Sequence, residues 1–581
     1  MQKPHIMKIF IFALIGISAA NLSAQIVFTD ASSQLTTGDV KSSHPCAIYD
    51  LNGDGLDDII RLDDGNILIV NYQTVDGNFT EYTFGAIEEG GWGGSAWGMC
   101  IGDINNDGFG DILAGGAYDD LKIIASTSTE GLFNLEEISA SGIFLQSVNF
   151  ADIDGDGDLD IFACNDDGPS QILENDGNGS FTENTLDDVF DTSLYLGDEQ
   201  NSGNYGSVWS DVNGDKRIDC YISKCRQGVT DVNDVRRINQ YWVQGSDGVY
   251  SEEGAEAAIA SGWQSWSSDF ADIDNDGDMD LFVGNHDFDN QLFLNQGNGV
   301  FTDISISSGI HDIFNSIVIQ SIFRDFDNDG FIDLLISGGN QYVVARNNGD
   351  LTFSDAGNVF GNYGMNSFAC GDLNNDGFAD VYATEGGYGS FGNNEVDKLY
   401  INEGNGNYWI NVQLESTESA PDGIGAIVFC TIDGITQMRE VRSGESYGIQ
   451  NSTILNFGFG ISEEAYPQIL VYWPSGTIDS YTGVIGSTAL ITEGSFPTNV
   501  DSNTSTSTII VYPNPALDFV NINCESIRKV ELFDSKGSLV HSIATSAPIT
   551  KIDRRDYKSG VYQLVVTNEA GARTSQRIVF E

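Results

Sequence analysis

The stretch "FADIDGDGDLDIFA", residues 150–163, sets five aspartates between two runs that begin and end like a buried strand. Counting Asp152 as place 1, Asp154, Asp156 and Asp160 fall at places 3, 5 and 9, with Gly157 at place 6 and Asp158 at place 7. A tight turn with this spacing aims alternate side chains at one centre, as a hard ion such as Ca²⁺ requires when it takes about six to eight oxygens. Glycine at place 6 permits the bend, and the main-chain carbonyl of place 7 adds an oxygen. Mg²⁺ fits less well, because it demands near-ideal octahedral geometry and keeps its waters. For one copy the alternative is a solvated acidic turn, since Asp, Asn and Gly are common turn residues.

The pattern occurs seven times. "DLNGDGLDD" offers Asp50, Asn52, Asp54, the Leu56 carbonyl and Asp58, and "DINNDGFGD" offers Asp103, Asn105, Asp107, the Phe109 carbonyl and Asp111. "DIDNDGDMD" supplies Asp272, Asp274, Asp276, Asp278 and Asp280, while "DFDNDGFID" supplies Asp325, Asp327, Asp329, Phe331 and Asp333. "DLNNDGFAD" supplies Asp372, Asn374, Asp376, Phe378 and Asp380. The fourth copy in chain order, "DVNGDKRID", brings Asp211, Asn213, Asp215, Arg217 and Asp219, but Lys216 replaces its glycine. A side chain at the bend and two extra positive charges mark that site as low-affinity or vestigial. The expectation is up to seven Ca²⁺, with the Asp211 site weak or absent.

First aspartates lie 53, 49, 59, 61, 53 and 47 residues apart, on the scale of propeller blades at about 40–50 residues per unit. Each unit holds roughly four strand-like segments separated by turn signals. In the third these are "FLQSVNFAD", "LDIFAC", "SQILEN" and "GSFTENT". The last repeat, "KLYINEGNGNYW", has no outer segment of its own, whereas "QIVFTDASS" precedes every acidic loop. The N-terminal strand is therefore expected to complete the seventh blade and remove a free sheet edge.

These acidic loops, followed at blade spacing by "NDGNGSFT", "NQGNGVFT" and "NNGDLTFS", resemble the FG-GAP/VCBS repeat family over Gln25 to Gly404. That resemblance implies a β-propeller of the integrin α-subunit kind with calcium in its blade loops. Residues 405–494 read as all-β, and "DGIGA", "REVRSGESYGIQ", "NFGFG" and "VYWPSG" within them resemble the ASPIC/UnbV domain. The linker 495–508 is polar and short of apolar residues. Beyond it, residues 509–581 alternate apolar and polar positions in the manner of a small β-sandwich. There "YPNPA" and "SGVYQLVV…RIVF" resemble the type A C-terminal sorting domain of the Bacteroidetes type IX secretion system, which implies an address for that export machinery, cleaved during export, rather than an activity. The expected fold class is all-β: a seven-bladed calcium-binding propeller, a small β domain and a C-terminal sandwich.

Residues 1–24 have a weakly basic start, an apolar run from Ile9 to Ala20 and small residues before Gln25, the form of a signal peptide. That run is too short to span a bilayer, and no other run approaches that length. The chain carries 86 acidic against 25 basic residues, a net charge of −61, which repels nucleic acid and anionic lipid and leaves a saline habitat open as its cause. A protein secreted or held at the outer-membrane surface follows. Most of the eight cysteines lie in strand-like segments as buried thiols, with Cys220 and Cys225 the best disulfide candidates.

"GESYG", residues 444–448, fits the hydrolase nucleophile pattern without the strand-turn-helix context or the later acid and histidine it needs. "GYGSFG" from Gly387 matches a dinucleotide fingerprint with no helix behind it. The ring's histidines, His44, His286 and His311, stand in no triad or metalloprotease spacing. The leading reading is a non-enzymatic module that binds extracellular glycans or surface proteins. A polysaccharide hydrolase or lyase with paired carboxylates in the ring mouth is the rival, and a structural role in surface assembly a third reading. If each acidic loop joins the first two strands of a blade, the glycine-rich segments carrying Trp92, Tyr205, Trp263, Tyr363 and Tyr388 share the opposite face. Aromatic rings there can stack on sugars or anchor a protein.

Overall fold

The computed structural model describes residues 26–580 except for 88–95, 139–142, 196–200, 386–395, 497–509, 513–518, 534–538, 545–548, 569–572 and shorter interruptions. The signal segment and residues 497–508 lie outside the described residues, whereas Phe496, read from the sequence as part of the linker, donates its N–H to Asp479 at 2.7 Å and packs its ring on Tyr481. The first compact unit runs to Pro497 and the second from Thr498.

In the first unit, seven four-stranded antiparallel sheets precede Trp409 among the described residues. Their first strands are Cys46–Tyr49, Ala96–Gly102, Leu145–Ala151, Asn204–Ser210, Ser265–Ala271, Gln320–Arg324 and Met365–Gly371. Each is in contact with the next, and the last returns to the first. A closed circle of inner strands with sheets radiating outward is consistent with a β-propeller. Burial follows from that placement. The inner strand Leu145–Ala151 is buried on both sides, because neighbouring sheets cover both faces, whereas the outer Phe181–Glu183 is largely exposed. The cores are shared between neighbours, as where Phe162 and Cys164 of the third sheet meet Trp209, Cys220 and Trp242 of the fourth.

Six sheets are built from consecutive strands, and the seventh is not. Phe28–Asp30 pairs antiparallel with Lys398–Asn402, Phe28 opposite Asn402. The chain thus closes on itself as the missing outer segment of the last repeat required. Ile26 and Phe28 enter the core of that sheet.

Residues 409–492 form a three-stranded and a four-stranded sheet. Their apolar faces, with Ile410, Val412 and Val428, share one core with Cys100, Leu145 and Phe150 of the ring. This segment is fused to the ring rather than tethered to it. In the second unit, a three-stranded and a four-stranded antiparallel sheet close on a common core that includes Ile522, Ile552, Leu532 and Leu564.

Cys220 and Cys225, the best disulfide candidates by sequence, are not bonded to each other. Both thiols are free, as are Cys46, Cys100, Cys164, Cys370 and Cys430, while Cys524 lies outside the described residues. Cys220 joins the core with Trp209, and Cys225 packs beside Tyr205 and Trp266. Side chains alternate along a strand, so positions an odd number apart point to opposite faces.

Candidate metal centre

Every acidic loop occupies the same place in its sheet. The place 1 residue follows the first strand directly, and the place 9 aspartate opens the second, pairing with the last residue of the first: Tyr49 with Asp58, Gly102 with Asp111, Ala151 with Asp160, and so on to Gly371 with Asp380. In all seven loops the place 1 carboxylate accepts the place 6 N–H at 2.7–3.2 Å. The place 5 carboxylate accepts the place 7 N–H at 3.0–3.1 Å. These bonds wind the chain around the side chains of places 1, 3 and 5. Carboxylate atoms of Asp152, Asp154 and Asp156 lie within 4.8 Å of one another, as do those of Asp272, Asp274 and Asp276, and those of Asp325, Asp327 and Asp333.

The bend needs a left-handed residue at place 6. Gly157 takes φ +94° and Gly330 φ +94°, and Lys216 of the fourth loop adopts φ +69° all the same. That loop is therefore wound like the others, and its difference lies in charge. Arg217 pairs with Asp215, and Lys216 places its ammonium 3.4 Å from the centre of the Tyr472 ring.

Place 9 does double service. One of its oxygens accepts the N–H of the residue ending the third strand, or in the second sheet of Ser126 just after it, at 2.7–3.0 Å. In four sheets that residue is an asparagine, and its amide ties neighbouring blades together. Asn175 donates to the carbonyls of Leu159 in its own loop and Ile104 in the preceding loop, and Asn295, Asn347 and Asn402 repeat the arrangement. The recurring Asn before "DGNG" and "QGNG" was visible in the sequence as a repeat, but not as a latch.

Crowding buried carboxylates raises their proton affinity. Burial, then the charge of Asp156, pushes Asp152 up to about 7. Burial likewise lifts Asp50 and Asp103 to about 6, Asp111 to about 7 and Asp160 to about 8. Such all-oxygen, anionic pockets suit a hard divalent cation, which would relieve the mutual repulsion of the carboxylates.

Residues 405–494 touch this face at every loop. Gln413 and Asn411 donate to the place 1 carboxylates Asp50 and Asp372 at 3.1 and 3.0 Å. Glu440 accepts from the Asp211 N–H, and Gly460 donates to the Asn328 carbonyl at 2.7 Å. Asp422 accepts the Asp103 N–H, and Glu418 and Phe429 sit against Gly157 and Gly277.

Residues 441–451 then enter the ring axis and meet all seven inner strands. Gln450 accepts from Ile48, Gly448 from Met99, and Gly444 from the Asn149 amide. Arg442 reaches Ser210 and, at 3.0 Å, Asp269. Glu445 takes Arg324 at 2.8 Å, and Asn451 accepts the Cys370 N–H at 2.7 Å. Gly206 on the fourth inner strand must lack a side chain, since a Cβ would lie 2.4 Å from the Ser446 carbonyl. Ser446 of the "GESYG" pattern is wholly buried at φ +52°, its hydroxyl against the Ser321 N–H. Among the described residues, this segment occupies the ring axis on the acidic-loop side.

Of the aromatics expected on the opposite face, Trp92, Tyr363 and Tyr388, with the "GYGSFG" loop, lie outside the described residues. Tyr205 is not on a glycine loop but inside an inner strand, buried and stacked on Trp266 with ring centres 5.3 Å apart. Trp263 is half-buried and stacks at 5.0 Å on Phe288, which is 48% exposed. Phe288 follows the second strand of that blade in "HDFDN". It was missed because that turn carries neither glycine nor a second aromatic.

Family models match three parts of the chain. The FG-GAP-like repeat matches 50–114, 152–222, 211–283, 272–319 and 325–383, which together hold all seven acidic loops. ASPIC and UnbV matches 416–495, and the secretion system C-terminal sorting domain matches 510–581. Cartilage acidic protein 1 of Xenopus tropicalis is 24% identical over 279 residues, 45% of this chain and 43% of that protein, so the chain spans under half the length of that relative. Among solved structures, an Agrocybe aegerita lectin described for recognition of non-reducing terminal N-acetylglucosamine is 18% identical, covering 62% of this chain and 94% of its own, with a TM-score of 0.38. PorZ, a surface component of the Porphyromonas gingivalis type IX secretion system, is 14% identical over 93% of this chain and 82% of its own, with a TM-score of 0.21. At those scores neither bears on this chain's ligand. The sorting-domain match makes this a protein of the type IX route, secreted to the cell surface, and no helix among the described residues is long and apolar enough to cross a membrane. With the repeat matched over half its length and every match beginning on a place 1 aspartate, the chain belongs to the FG-GAP-like repeat family.

Proposed function

We propose that this is a calcium-stabilised cell-surface binding protein, a seven-bladed ring that recognises extracellular glycans or surface proteins rather than transforming them. The observation that carries the reading is the closure of one side. Residues 405–494 cover the acidic-loop face and fill the axis, which leaves the opposite face, with its Trp263–Phe288 pair, for a partner. Loops on a rigid scaffold are where recognition is usually carried, and a stacked aromatic pair offers a flat apolar platform beside the acidic Asp287.

Calcium fits the loops as a structural ion. Asp or Asn at places 1, 3 and 5, the place 7 carbonyl and the place 9 aspartate would hold it, and it would neutralise carboxylates that otherwise repel. Asp154→Ala, at place 3 of the third loop, is expected to cost about 2 kcal/mol in calcium through lost cation affinity. Asn213→Ala, at the same place of the loop that carries Lys216 and Arg217, is expected to cost less than about 1 kcal/mol. Equal losses in thermal unfolding would contradict a metal role for the third loop.

The binding face is tested on glycan and surface-protein arrays. Trp263→Ala combined with Phe288→Ala is expected to weaken capture of whatever ligand the unmodified chain retains by at least about tenfold, as removal of an aromatic anchor does at other interfaces. Undiminished capture by a folded double variant would place recognition elsewhere.

A further inference from the structure

The sixth loop has a full ladder of acids at places 1, 3, 5 and 9, so by sequence it ranks with the third and fifth as a cation cage. Its geometry differs. In the third and fifth loops the carboxylates that converge are those of places 1, 3 and 5, whereas in the sixth they are those of places 1, 3 and 9. Asp329, at place 5, has been drawn off by a side chain from another strand. Arg346 sets Nε 2.6 Å from Asp327 Oδ2 and Nη2 2.5 Å from Asp329 Oδ2, so its planar fork bridges places 3 and 5. Asp327 is itself fully buried, and Arg346 is 17% exposed.

Arg346 is the residue before Asn347, the latch asparagine of its blade. The residues before the other latch asparagines are Glu174, Leu294 and Ile401, none of them basic. This position therefore sits over its own blade's loop and sets that loop's charge. Glu174 adds an acid whose charge bears on Asp154 of the third loop, and Arg346 adds a cation to the sixth. In the fourth loop Arg217 plays the same part on Asp215 and also donates to the Gln244 carbonyl at 2.9 Å.

We propose, resting on the calcium reading above, that the fourth and sixth loops carry a built-in guanidinium in place of a divalent cation, so that the chain binds five Ca²⁺ from seven loops. A divalent ion at either place would have to displace a guanidinium already paired with its ligands. The sixth loop also holds the start of the accessory segment: Asn405 and Asn407 donate to the Asp327 carbonyl at 2.6 and 2.8 Å, and Gly460 to the Asn328 carbonyl at 2.7 Å.

The test counts metal on the full secreted chain, stripped by chelating resin and titrated with Ca²⁺ by calorimetry, with bound calcium measured by elemental analysis. Five per chain are expected, with Asp329→Asn leaving the count unchanged, Asp156→Asn removing one, and Arg346→Met adding one. A count of seven, or loss of a site on Asp329→Asn, would overturn the inference while leaving the calcium reading intact. No bound calcium at all would instead remove the calcium reading and this inference with it. Should Arg346→Met fail to fold, the contrast between Asp329→Asn and Asp156→Asn still decides.

Discussion

Replacing Arg442 with methionine is expected to destabilise the unit that runs to Pro497 by about 3–5 kcal/mol, the usual cost of breaking a buried ion pair by removing one partner. The Arg442 side chain is 6% exposed, and its guanidinium pairs with Asp269 at 3.0 Å, Glu440 at 3.1 Å and Glu445 at 3.7 Å. Burial pushes the Glu445 carboxyl up, and Arg324, Arg442 and Asn451 more than reverse that, holding it below its ordinary range. Without Arg442, Glu445 keeps its ion pair with Arg324, while Asp269 and Glu440 keep none among the described residues, and methionine fills the volume without the charge. The shift is read from the urea midpoint in calcium. A change under about 1 kcal/mol, the size of an exposed pair, would mean that the axial segment does not hold the ring as the contacts indicate.

The ring was legible because its signal is repeated. Seven copies of one loop at blade spacing outweigh any single ambiguous turn, and the absence of an outer segment after "KLYIN" pointed to Phe28–Asp30 as the closing strand. What stayed hidden depends on partners far away in the chain. "RSGESYG" gives no local sign of its place in the fold, yet Ser443 bonds the Ile101 carbonyl, 342 residues earlier, and Tyr447 bonds Gln146, 301 residues earlier. Only the closed ring supplies the donors and acceptors that make burial of such a segment tolerable. Lys216 was legible as a departure but not in its outcome, since nothing local shows that Tyr472 would receive its ammonium. Arg346 stands in an ordinary strand, "QYVVARN", and its effect on the sixth loop requires knowing that the end of the third strand lies over the loop between the first two. Tyr205 was assigned to a loop because "NSGNYGS" is rich in glycine and asparagine. The inner strand begins one residue earlier, at Asn204, and packing between blades overrides the turn signal.

The central claim is that divalent cations in the acidic loops hold the ring and its accessory segment together as one body. Each saturated site contributes about 4 kcal/mol when the ion is about a thousandfold above its dissociation constant, so removing several should lower the melting temperature by on the order of 10 °C or more. The pH dependence has a definite sign. Asp152, Asp111 and Asp160 carry pKa values raised to about 7, 7 and 8 in the metal-free fold, so their contribution is present below the unfolded carboxylate range and is lost as pH rises through 7 to 8. Chelated protein should therefore be weakest on the alkaline side, where cation binding, freed from competition with protons, is strongest. The decisive measurement is calorimetric melting of the full secreted chain in millimolar Ca²⁺ and in EDTA, at about pH 8 and about pH 5.5. A large drop on chelation that is greater at the higher pH is expected, and a melting temperature unmoved by EDTA at about pH 8 would contradict the claim.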